Sequence, residues 1–161
     1  MIVCKLAKAV MEHEEGLNHL WIRLMPGAAA KLVRLRVLLP EGLHRHRNAN
    51  GFEETAAGDI LIENVSDSDV LDVVVELYTS EPAGTGAKTI VVERIADGGE
   101  RSPAAVRQTV SITLLPEEEM GDAEVDPEVL RYVKSLQPDR EPERNDRPER
   151  LMPPTVITID P

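Results

Sequence analysis

The sequence predicts an all-β chain built as an antiparallel β-sandwich of about seven strands, followed by a short helix and an extended tail. Three observations carry that prediction. Apolar residues alternate with polar ones at a period of two through most of the first 115 residues, the mark of sheets with one wet face. Turn-forming clusters separate the alternating runs at short intervals. No long helical period lies between the runs, which excludes the crossover helices of a parallel α/β fold.

The runs follow one another along the chain. Residues 2–10 read as a first strand. In 18–25, Leu20, Ile22 and Leu24 face one way and His19, Trp21 and Arg23 the other. In 31–39, Val33, Leu35, Val37 and Leu39 alternate with Arg34, Arg36 and Leu38. Residues 59–65 and 89–95 are rich in β-branched side chains and add two more strands. In 70–79, Leu71, Val73, Val75 and Leu77 oppose Asp72, Glu76 and Tyr78, and in 106–114, Val110, Ile112 and Leu114 oppose Thr109, Ser111 and Thr113. The buried set should therefore include Leu20, Ile22, Leu35, Val37, Val73, Val75, Val110 and Ile112. Glu15-Gly16, Pro26-Gly27, Pro40-Glu41-Gly42, Asn50-Gly51, Ser66-Asp67-Ser68-Asp69, Gly84-Thr85-Gly86 and Asp97-Gly98-Gly99 supply the turns.

Composition shifts at Pro116. Twelve basic and sixteen acidic residues precede it, against six and thirteen from there on, with eight of the twelve prolines. The expected organisation is a sandwich over 1–115, an acidic linker and short helix over 116–137, and a flexible Pro/Glu/Arg-rich tail over 138–161. The helix has Asp126 as N-cap, Pro127 at its first position and Glu128 at the positive end of its dipole. Val129, Leu130, Val133 and Leu136 form its apolar stripe, expected to cover an apolar patch of the sandwich beside Trp21, because so short a helix is marginal alone. The tail holds too few apolar residues to order itself. It ends in Thr155–Asp160, a segment of strong β propensity in which Val156, Ile157 and Ile159 are candidates for pairing with a sheet edge.

Charge and cysteine content narrow the function. The 161 residues carry 18 basic against 29 acidic side chains, net −11, which opposes a nucleic-acid or anionic-membrane partner. Cys4 stands alone, so an intrachain disulfide and a cysteine metal cluster are excluded; on an early strand it reads as a small buried hydrophobe. No run approaches the roughly 18 apolar residues of a membrane span. Lys5 and Lys8 interrupt what would be the apolar core of an export signal, so a cytoplasmic location is expected.

Candidate chemistry is sparse. His44 and His46 share a face at i, i+2 and are the candidates for a divalent metal, with His13, His19 or a carboxylate as third ligand. The flanking Arg45 and Arg47 oppose a cation, and a solvated basic segment is the plainer reading. Asp67 and Asp69 lack the further ligands of a calcium loop and fit an Asx turn. Gly84-Thr85-Gly86 lacks the strand-to-helix setting of a phosphate loop, and no nucleophile elbow or Cys/His pair is present. Aromatic residues are 2% of the chain, too few for a carbohydrate platform. Trp21 and Tyr78 nevertheless fall on the polar side of their strands, where they suit a protein-binding face or, for Trp21, cover by the helix.

The run Gly58–Tyr78 (GDILIENVSDSDVLDVVVELY), Ile95-Ala96-Asp97-Gly98-Gly99-Glu100 within 91–101, and Leu38-Leu39-Pro40-Glu41-Gly42-Leu43 resemble the strands and strand ends of bacterial immunoglobulin-like repeat modules of the cell-adhesion-related and conserved-repeat types. The resemblance covers about residues 18–115. A similar sandwich also accompanies von Willebrand A-type domains, with a short Asp-Pro-Glu helix after the last strand, as at Asp126-Pro127-Glu128. It implies an immunoglobulin-like sandwich and no catalytic residue. The expectation is therefore a non-enzymatic interaction or scaffolding module without cofactor, engaging a protein partner or another copy of itself through sheet edges. The alternative is a ligand- or metal-binding, even hydrolytic, sandwich using His44, His46 and nearby carboxylates.

Overall fold

The computed structural model describes residues 1–25, 27, 29–97 and 104–136. The chain divides into two units, Met1–Leu130 and Arg131–Pro161. Ten strands and one α-helix lie in the described residues: β1 (Ile2–Leu6), β2 (Val10–Glu12), β3 (Leu17–Leu24), β4 (Ala30–Leu38), β5 (His44–Arg45), β6 (Glu53–Glu54), β7 (Ile60–Val65), β8 (Leu71–Tyr78), β9 (Gly86–Asp97), β10 (Ala104–Leu115) and α1 (Pro127–Ser135). They form a four-stranded sheet in the order β1-β3-β8-β5 and a six-stranded sheet in the order β2-β10-β9-β4-β7-β6. All pairs are antiparallel except β2 with β10, which run parallel. This is an all-β, immunoglobulin-like sandwich with a short C-terminal helix.

Its core lies between the sheets, where the period-two pattern placed it. Leu20, Ile22, Leu35, Val73, Val75 and Ile112 are fully buried, joined by Leu24, Val33, Leu77, Ile90, Val92 and Leu114. Val37 and Val110, expected in the same set, are half-buried at the margin of this cluster. A six-stranded sheet faces a four-stranded one here, and the narrower layer does not cover the whole inner face of the wider. Cys4 packs against the core, and burial pushes its thiol up to about 11.

Two local expectations are corrected. Residues 2–10 are not one strand but two, β1 and β2, lying in different sheets. The buried side chain of Asn18 makes the break: its Oδ1 accepts from Lys8 N at 3.0 Å and its Nδ2 donates to Lys8 O at 2.8 Å. Those bonds replace strand partners at the kink. The strand count is accordingly ten rather than about seven, the excess coming from this split and from the two-residue β5 and β6.

The turn before β8 is closed by an aspartate side chain, though not as an Asx turn: Asp69 Oδ2 accepts from Ser66 N, three residues back, at 2.8 Å, and the bond two residues on is made by Ser66 Oγ, accepting from Ser68 N at 3.3 Å. At the start of α1, Asp126 caps as read from the sequence, its Oδ1 accepting from Glu128 N at 2.9 Å. Val129 is buried and Leu130 is exposed, so Leu130 does not belong to an inward stripe. Val133 and Leu136 fall in the second unit. Val156, Ile157 and Ile159 lie outside the described residues.

Candidate functional site

The outward side chains of the four-stranded sheet gather most of the singled-out residues. The β3–β8 register sets Arg23 opposite Asp72, Trp21 opposite Val74, His19 opposite Glu76 and Leu17 opposite Tyr78. β5 adds His44 opposite Tyr78. Trp21 and Tyr78 thus share one face, four residues apart along the strands, or about 13 Å.

Trp21 is not an open ring. It is 8% exposed, its Nε1 donates to Asp72 Oδ1 at 2.9 Å, and Arg23 lies over the ring at 5.2 Å while its Nε bonds the same carboxylate oxygen at 2.8 Å. Beside it, Val3, Lys5, Trp21, Arg23, Met25 and Glu128 line a groove of about 220 Å³. Lys5 donates to Glu128, and that bond raises the lysine's pKa further.

Tyr78 lies against both candidate metal ligands. Its ring sits 4.5 Å from that of His46, stacked, and 5.4 Å from that of His44. Glu76 stands between His19 and His46, with Oε2 3.6 Å from His19 Nε2 and Oε1 3.5 Å from His46 Nε2. Burial holds His19 below the ordinary imidazole value, against the pull of Glu76. Glu76 thus lies beside His19 and His46, and Tyr78 packs its ring against His46 and His44; among the described residues no group of three His, Cys, Asp or Glu side chains takes metal-binding geometry. His13 stands apart, in the segment bonded to Leu115 O and Ala83 N.

Arg45, read as part of a solvated basic segment, points the other way from its histidine neighbours and is 11% exposed. Its guanidinium donates to Glu54 at 3.1 and 3.3 Å and to Gly58 O. Glu54 also accepts from the backbone and side-chain nitrogens of Asn48, both at 2.7 Å. Burial works to raise the Glu54 carboxyl, but the Arg45 and Asn48 hydrogen bonds outweigh it and hold the group below its usual range. Because β5 and β6 belong to different sheets, this cluster ties the two sheets together along one side.

Edge closure recurs on the opposite side and then stops. Outside β2, Thr79 Oγ1 donates to Glu12 O at 3.0 Å and accepts from Gly16 N at 2.8 Å, while Ala83 N donates to His13 O at 3.0 Å. Beyond β5, residues 46–50 continue along β8 through His46 N to Glu76 O and Ala49 N to Val74 O. β1 has no such cover along Ile2–Leu6, although Ala7 O just past it accepts from Asp126 N at 2.7 Å, and β10 has no strand partner on its outer side over 104–112 among the described residues. Ala7 N to His19 O and Met25 N to Met1 O place its ladder bonds on the odd-numbered residues, so the N–H and C=O groups of Ile2, Cys4 and Leu6 point away from β3. They carry no hydrogen bond among the described residues. Sequence alternation could place these residues on a strand but not say which strand would end a sheet.

Among the described residues no helix is long and apolar enough to cross a membrane. The sequence matches no protein-family model and no curated protein. Similar solved structures include the collagen-binding subdomain of the Enterococcus faecalis surface protein ACE, at 8% identity and a TM-score of 0.43, with 68% of this chain and 95% of that one covered. The periplasmic chaperone SfaE aligns at 10% identity and a TM-score of 0.34, covering 71% and 57% of the two chains. A family 123 glycoside hydrolase from Clostridium perfringens aligns at 10% identity and 0.35, covering 72% and 28%. The likeness concerns the sandwich alone.

Proposed function

We propose that this protein is a non-catalytic interaction or scaffolding module that binds a protein partner by strand addition at β1. The observation that carries this is the row on β1, which ends the four-stranded sheet: β2, β5 and β6 are two or three residues long, whereas β1 offers five residues with outward amides and carbonyls at every second position, and unlike the stretch 104–112 of β10, which also lies beyond the β2 pairing, it has a groove beside it. Such a row is what an extended peptide pairs with. Trp21 forms the closed wall of the groove beside β1, so the groove's more open side chains, Val3, Lys5 and Arg23, would meet the partner first, with Tyr78 further along the same face. Val156, Ile157 and Ile159 are this chain's own candidates for the added strand. The resemblance of residues 18–115 to bacterial repeat modules supports a binding role over an enzymatic one, and a cytoplasmic setting goes with the same proposal.

Cys4→Pro tests it. Proline removes the outward amide of residue 4 without touching the β3 ladder, whose bonds lie on Val3 and Lys5. Partner retained by the wild-type protein and lost with Cys4→Pro, at unchanged circular dichroism, is the expected result. Equal retention by both would refute an edge-mediated interaction.

A further inference from the structure

Resting on that role, we infer that the strand added to β1 is β1 of a second copy, paired antiparallel about a two-fold axis through Cys4. Only the even-numbered residues present free backbone groups outward, so an antiparallel partner copy must set even residues opposite even residues. Three registers satisfy this with more than one bonded pair. Setting Lys5 opposite Lys5 of the second copy places like charges face to face, which destabilises a strand pair. Sliding the other way leaves Ile2 and Cys4 paired and Leu6 outside the ladder. The register centred on Cys4 pairs Ile2 with Leu6, Cys4 with Cys4 and Leu6 with Ile2, for roughly six backbone bonds.

The side chains agree with that register on both faces. On the inner face, Ile2 and Leu6, which belong to or pack on the core, meet each other across the seam as apolar cross-strand pairs. On the outer face Val3, 39% exposed, stands opposite Lys5 of the second copy, whose charge is already answered by Glu128. Lysine on an edge strand ordinarily guards against pairing; here the guard is drawn onto Glu128 and faces an apolar neighbour. The same surface repeats on both copies, as a closed two-fold contact requires, and the two outer sheets join into one of eight strands. With a net charge of −11 on each chain, the copies repel at long range, so salt should strengthen the dimer.

The test uses the full chain. Sedimentation equilibrium should give a mass twice 17.8 kDa that falls with dilution and rises in proportion with added sodium chloride; a monomer at every concentration and salt overturns the inference. Cys4→Pro should be monomeric and folded. Should that variant unfold, a crosslinking pair reads the register independently. In a Cys4→Ser background, Val3→Cys protein mixed with Lys5→Cys protein should form a disulfide-linked dimer when diamide takes two electrons from the two thiolates. The Cα atoms of that pair would lie about 4.5 Å apart, within disulfide reach. Either variant crosslinking as well alone as in the mixture overturns the register. Loss of the dimer on Ile157→Pro would overturn the assignment in favour of Thr155–Asp160 as the added strand. A strict monomer whose β1 amides become protected from exchange when a different protein is bound would leave the interaction role standing and this inference refuted.

Discussion

Replacing Glu54 with alanine should be among the most damaging single changes in the sandwich. The side chain is 6% exposed and takes four hydrogen bonds, two from Arg45 and two from Asn48. Alanine leaves a guanidinium that is 11% exposed without its counter-charge and the Asn48 amide without its acceptor. Removing one member of a buried ion pair costs about 3–5 kcal/mol, a large share of the roughly 5–15 kcal/mol that holds a domain folded. At about 3–5 °C per kcal/mol for a domain of this size, the melting temperature should fall by roughly 10–25 °C. The assay is thermal and urea unfolding of the wild type, Glu54→Ala, Arg45→Met and the double variant. The double variant should cost less than the sum of the singles by more than about 1 kcal/mol, since the second substitution removes the orphaned charge. A Glu54→Ala penalty under about 1 kcal/mol, or strict additivity, would refute the account of this cluster as the closure of the β5/β6 side.

Two further outcomes follow from single positions. Asp59 is 4% exposed, and the Arg36 guanidinium beside it, bonded at 3.0 and 3.1 Å, holds its carboxyl below the usual range despite burial; Glu54 is likewise depressed. A carboxyl lowered on folding contributes stability in full above its unfolded value and loses it as pH falls through the folded one. The melting temperature should therefore decline as pH drops from about 5 toward 2, and Asp59→Asn should flatten that decline; an unchanged slope sinks the assignment. Gly42 has φ +88°, and a Cβ there would stand 2.4 Å from Ala83 Cβ and 2.9 Å from Ala83 Cα. Gly42→Ala should cost about 1–3 kcal/mol in urea titration, and a neutral result would show that the 40–43 turn can move off the 80–84 segment.

The parts of this fold that could be read from the chain are those fixed by local period. Leu20, Ile22, Val73 and Val75 declare their face because they keep a period of two with polar residues such as His19, Arg23, Asp72 and Glu76 on the other side, and one slip in register would move them all to that side; Val74, buried on the outer face, is what the alternation does not announce. The Asp126 cap is legible for the same reason: its partners are two and three residues away. The break between β1 and β2 is not, because it is made by Asn18, ten residues on from Lys8. Arg45 and Glu54 look like surface charges in a composition count, and only the meeting of two sheets buries them. The outer face was half legible. Trp21 and Tyr78 share the outer face as alternation required, but Trp21 is buried there, and Asp72 and Arg23, which hold the indole in place, are legible only as charges of the same strand faces.

The difference between β1 and the other edges lies in what guards them. At β2 a threonine hydroxyl, 2% exposed as a residue, bonds the strand's outward carbonyl; at β5 and β6 a glutamate, an arginine and an asparagine lock the flanking chain across the gap. Each device places a buried polar group where its bonds must all be met, which is costly if any fails. Such groups persist where leaving an edge open is worse. β1 is the longest of the four edges and the one on which an added strand would gain most bonds, yet its outward polar side chain, Lys5, turns to Glu128 on the sheet face and leaves the backbone row uncovered. The stretch 104–112 of β10 is likewise unpaired beyond β2, so the pairing capacity left among the described residues lies on these two rows, and that of β1 is the one with a groove beside it. Strand addition satisfies it with no new side-chain group, which is why a substitution that removes a single amide, Cys4→Pro, is expected to separate binding from folding.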